Sequence, residues 1–163
     1  MRCRVGFVAS LALGLIGCTG DAPPPAIAEH DGIAVSDAYA TVSAAPETSA
    51  FYCTISNADA RPDTLLGVES SAGMAMLHSV VTVDGRSSMQ SVPRLEIPSR
   101  GDVRLRPGGY HVMLADLPAP LRDGDTVEIG LSLVRAGTLR FRAPVVTYTD
   151  LAQRLEQTDR EHR

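Results

Sequence analysis

Apolar residues alternate with polar ones in short runs through most of this chain, and Gly, Pro, Asn or Asp breaks the runs every eight to twelve residues. That punctuation predicts an all-β sandwich or barrel, and no helical periodicity interrupts it within the domain. Strands are expected near Ile33–Tyr39, Ser49–Asn57, Thr64–Glu69, Ala75–Val83, Arg86–Val92, Asp102–Leu105, Tyr110–Leu114, Thr126–Leu133 and Thr138–Val145. Turns separate several of them: Asn57-Ala58-Asp59, Asp84-Gly85, Pro107-Gly108-Gly109, Arg122 to Asp125, and Ala136-Gly137. From Val127 to Leu133 the apolar residues Val127, Ile129, Leu131 and Leu133 alternate with Glu128, Gly130 and Ser132, so one face should be buried and the other should meet water. The polar tail, residues 149–163, holds Leu151 and Leu155 at helical spacing. It reads as either a short helix or disorder, with disorder at its very end.

The N-terminus has a different pattern. Arg2 and Arg4 precede an apolar stretch from Val5 to Ile16, too short for the roughly 20 residues that span a bilayer. Residues 1–17 therefore read as a secretory signal. Leu15-Ile16-Gly17-Cys18 resembles the lipobox of bacterial lipoproteins, which implies cleavage before Cys18 and its lipidation. Residues 18–32, with Pro23-Pro24-Pro25, would then be a stiff, lipid-anchored spacer, and residues 33–148 one domain. Removing the leader leaves 13 arginines against 19 carboxylates, a net charge of −6, which argues against nucleic-acid binding. With Cys3 lost and Cys18 lipidated, Cys53 is the only free thiol and no intramolecular disulfide can form. In the strand Phe51 to Ile55 it is expected to be buried and inert.

Four residues carry candidate chemistry: His78, Met89, His111 and Met113. Asp84-Gly85 between alternating runs signals a two-residue hairpin, which would pair Val83 with Arg86 and Val80 with Met89. Because side chains alternate, His78 would share a face with Val80 and hence with Met89, as a diagonal neighbour roughly 7–8 Å away at Cα. In the later strand His111 and Met113 are two apart and share a face, while Val112 and Leu114 can enter the core. Imidazole suits zinc, copper, iron or nickel, but thioethers are soft ligands that favour copper(I). Spacing alone leaves open whether the two halves meet. Met is more often core filler than ligand. Met74 and Met76 precede His78 on its face and read as rim or core residues, yet they are the best candidates for an auxiliary or transfer ligand. His30 and His162 read as bystanders.

The run His78, ten residues, Met89, twenty-one residues, His111, one residue, Met113 resembles the H-x10-M-x21-H-x-M pattern of the periplasmic copper chaperones called PCu(A)C. Leu95 to Pro98, Leu105 to Leu114 and Pro120 to Val127 agree with it as well, over about Ile33 to Val146 in all. Tyr39 stands where that family often has Trp, and Met76 where a polar residue is common. The resemblance implies a cupredoxin-like Greek-key β-sandwich that binds one Cu(I) through His78, Met89, His111 and Met113. It also implies copper delivery toward the CuA site of cytochrome c oxidase, alone or with Sco-type proteins, from an extracytoplasmic, lipid-anchored position. A monomer is expected. Two other readings are a copper buffer or resistance lipoprotein without dedicated delivery, and a metal-free β-sandwich binding module. An enzyme is not expected, because no nucleophile, acid pair or phosphate loop stands at meaningful spacing.

Overall fold

A computed structural model describes residues 27–161. The leader, Cys18, the Pro23 to Pro25 spacer and His162 lie outside the described residues. The strands are β1 (Ala28–His30), β2 (Ile33–Thr41), β3 (Ser49–Asn57), β4 (Asp63–Ser70), β5 (Met74–Val83), β6 (Arg86–Ser91), β7 (Leu95–Ile97), β8 (Gly101–Leu105), β9 (Tyr110–Ala115), β10 (Thr126–Leu133) and β11 (Gly137–Val146). One helix, α1 (Tyr148–Glu161), follows. Nine of these strands lie where alternation places them. Strand β1 falls inside the expected spacer, and β7 is three residues between Pro93 and Pro98, too short for alternation to show.

The strands form one ladder in the order β6-β5-β9-β8-β3-β2-β11-β10-β4-β7, with β1 on β2. Strand β11 links its two parts: it pairs antiparallel with β10 along its length, then parallel with β2 through Val145 and Val146. The ladder closes over one core, to which β2, β3, β5 and β9 supply Ile33, Phe51, Ile55, Leu77, Val112 and Leu114. Facing them are Leu65, Ile97, Val127, Ile129, Leu131 and Phe141, and the Phe51 and Phe141 rings meet at 6.1 Å between centroids. Cys53 is fully buried on the core side of β3, and burial pushes its thiol up to about 12. On β10 the alternation holds except at Gly130, which is buried on the outer side because the Arg140–Glu69 ion pair, 2.7 Å, lies over it.

Within the described residues the tail is helical, to Glu161. Thr147 caps it: the Asp150 amide donates to Thr147 Oγ1 at 3.1 Å, and that hydroxyl donates to the Asp150 carboxylate at 2.8 Å. Leu151 and Leu155 then pack with Tyr52 and Val146 in a small second cluster on the outer side of β2 and β3. The Arg154 guanidinium lies 5.2 Å over the Tyr39 ring.

Candidate metal centre

The hairpin forms as expected. Asp84 and Gly85 take positive φ, 51° and 74°, the geometry a two-residue turn requires, and Val80 pairs with Met89. Strand β9 lies on the other side of β5, antiparallel, and its register brings the two halves together. His78 pairs directly with His111, and Met76 with Met113. The imidazole centroids are 5.9 Å apart at 51°. Leu77, Val112 and Leu114 point into the core, so His78, Met89, His111 and Met113 share the outer face.

The two histidines differ in their support. His111 Nδ1 lies 3.1 Å from the Gly109 carbonyl oxygen, which can only accept, so the proton sits on Nδ1 and the Nε2 lone pair is free. Gly109 is held in turn, because its amide donates to Arg106 O at 3.0 Å while the Arg106 amide donates to Tyr110 O at 2.8 Å. His78 Nδ1 is the one buried side-chain nitrogen or oxygen among the described residues without a hydrogen-bond partner. An orphaned buried nitrogen is costly, and a cation is a partner its lone pair would accept. Among the described residues no group of three or more His, Cys, Asp and Glu side chains could hold a metal ion. What this face offers is two imidazoles and thioethers, a donor set suited to a soft monovalent ion.

A cleft of about 500 Å³ opens beside the face, walled by His111, Met113, Met89, Tyr52, Pro107 and Tyr148 among others. Met89 is 60% exposed on a strand with every residue exposed, whereas His111 is buried. Burial raises the Tyr52 phenol above its ordinary value, and nearby Tyr148 adds to the effect. Behind the cleft, Asp37 sits in a bulge of β2 with φ 49°. Its carboxylate accepts from Thr54 Oγ1 at 3.2 Å and Thr158 Oγ1 at 3.1 Å, and pairs with Arg106 at 3.5 Å. This cluster ties helix, bulge and the loop before His111 into one support. Spacing does not point to Tyr52, Tyr148, Asp37 or Arg106. The one legible signal was Thr147-x-x-Asp150 ahead of Leu151, a capping pattern that starts the helix and so places Tyr148. Met74 and Met76 lie on the histidine face as alternation predicts. His30 lies in β1, exposed, 3.9 Å from the Asp31 carboxylate.

Comparison with known proteins adds four likenesses. The family described as "Putative lipoprotein LpqE-like" matches residues 33–145. A protein of Leifsonia xyli subsp. xyli named "Putative lipoprotein Lxx21020" is 32% identical over 151 residues, 90% of each chain. The copper-bound PCuAC domain from PmoF2 is similar in fold, with TM-score 0.61 and 22% identity over 73% of this chain and 96% of that one. The solution structure of CuI-DR1885 from Deinococcus radiodurans is 36% identical, with TM-score 0.54, covering 70% of this chain and 79% of that one.

Proposed function

This chain belongs to the LpqE-like family, whose domain has the PCuAC fold, and on that premise we propose that it is an extracytoplasmic Cu(I) chaperone. One ion is carried on the outer face of β5, β6 and β9 by His78, Met89, His111 and Met113. The observation that carries this reading is the direct His78–His111 pair, with an unpartnered buried nitrogen and thioethers on the same face. The Cu(I) state of the Deinococcus radiodurans protein, 36% identical, supports it. Neutral ligands need lose no proton to bind near neutral pH, and thioethers escape the thiolate oxidation that an extracytoplasmic compartment invites. The exposure of Met89 leaves the ion open to an incoming ligand from a partner.

The ion is destined for the CuA centre of cytochrome c oxidase, directly or through a Sco-type protein. The chain works from a membrane surface, held by lipid on Cys18. Anaerobic Cu(I) competition titration is expected to find one tight equivalent. His111→Ala and Met113→Ala should each weaken it by more than the roughly 10–100-fold that losing a partner behind a ligand costs. Unchanged affinity in both variants would remove the site. Mixing the Cu(I) form with an apo CuA domain should move copper, and copper that stays put would leave a buffer in place of a chaperone.

A further inference from the structure

All four methionines among the described residues, Met74, Met76, Met89 and Met113, lie on the face that carries His78 and His111, and none enters the core. Methionine is ordinarily a filler of irregular core gaps. Here the core is filled without it, and the thioethers collect on one side of one three-stranded patch.

The register sets their order. His78 and His111 form one cross-strand pair, and Met76 and Met113 form the next along the same two strands. Met76 is two residues from His78 on one strand, about 7 Å at Cα. Met89 is the diagonal neighbour of His78 at a similar roughly 7–8 Å, on the opposite side. Two donor sets therefore overlap on the same imidazoles and Met113, one completed by Met89 and the other by Met76. They differ in how firmly they are held. Met89 is exposed on the edge strand β6, while Met76 is half-buried on β5, which pairs there with β9. Met76 also borders a depression of about 200 Å³ lined by Leu65, Val68, Val92 and Pro93 among others.

We infer that Met76 is an alternate Cu(I) ligand that takes the place of Met89, so the ion stays anchored on the sheet while its solvent side is vacated for an incoming donor. One Cu–S contact forms as the other breaks, with no change of charge or oxidation state. The inference rests on the copper reading above, and the two fail separately.

The test uses Met→Leu variants, which keep volume and apolar character, with Cu(I) as the probe under anaerobic competition and X-ray absorption to count sulfur neighbours. Met89→Leu should stay within about 10-fold of wild-type affinity and keep two sulfurs, and Met76→Leu/Met89→Leu should keep one and fall at least about 100-fold, beyond the roughly 10–100-fold that losing a partner behind a ligand costs. If Met89→Leu already falls to the level of the double variant and shows one sulfur, Met76 is not a ligand. If His111→Ala binds as tightly as wild type, the copper reading itself fails.

Discussion

Helix α1 is the element on which the cleft wall depends, and Leu151→Ala tests that dependence. A helix of 14 residues is marginal on its own, so α1 persists because it docks. Leu151, 1% exposed, sits at the centre of the docking cluster with Tyr52, Val146 and Leu155. Truncating a buried leucine costs about 2–5 kcal/mol. Because this cluster lies near the surface and can partly collapse, the low end applies, about 2–3 kcal/mol, and the loss falls on helix docking before the sandwich. At 1.4 kcal/mol per decade, that raises the undocked population roughly 30- to 150-fold. Trypsin reads this population when it is dilute enough that redocking outpaces cleavage, since Arg154 is in the second turn. Cleavage after Arg154, followed by mass spectrometry under limiting protease, should accelerate by about that factor. Cu(I) affinity should fall as well, because Tyr148 leaves the wall. A cleavage rate within about 3-fold of wild type would refute the argument that these leucines hold the helix in place.

Three further outcomes are expected. Asp37→Asn keeps a residue that tolerates positive φ but removes the charge facing Arg106, and should cost about 1.5–3 kcal/mol in urea denaturation; an unchanged midpoint would show that the cluster is not a support. At low pH the Arg135 hydrogen bond holds the Asp59 carboxyl at about 2, and at Asp63 amide donors from Arg135, Thr64 and Ala136 outweigh burial and hold it low. The stabilisation from both is present above the ordinary 3.8 and is lost as pH falls below it, for Asp59 toward about 2, so Asp63→Asn should flatten the acid limb of a stability profile. At high pH the unfolded chain ionises Cys53 near 9.0 while the folded one holds its proton to about 12, so stability is lost between these values at about 1.4 kcal/mol per pH unit. Cys53→Ala should lack that part of the decline, and a thiol reagent at pH 8 should label Cys53 of wild type only after unfolding.

How much of this was legible beforehand follows from the range of each interaction. Asp84-Gly85 specifies its own register, so the shared face of His78 and Met89 could be read from a dozen residues. His111 and Met113 needed only strand alternation. That β9 lies beside β5 could not be read that way, because three strands intervene in sequence and the pairing is decided by the whole core. The resemblance to a known ligand pattern joined the halves and marked Met76 only as a departure from that pattern; its place opposite Met113 exists only once those strands are adjacent. The bulge at Asp37 was equally hidden, since an aspartate at positive φ leaves no mark in alternation. In the tail, Leu151 and Leu155 at helical spacing left helix and disorder both open, and what decides between them is the patch on β2 and β3 that makes docking worthwhile.

Cys53 shows what pairing protects. Its thiol faces the core from β3, while its neighbour Tyr52 faces the cleft, and Phe51 pairs with Val112, which puts Tyr52 level with His111. A slip of β3 by one residue against β9 would exchange the two side chains and set a sulfhydryl beside the imidazoles. A thiolate there would grip a soft cation harder than any thioether, and it would invite oxidation besides. Strand registration in this protein thus serves as chemical quarantine: one misaligned β3 would turn a carrier that lets go into a trap.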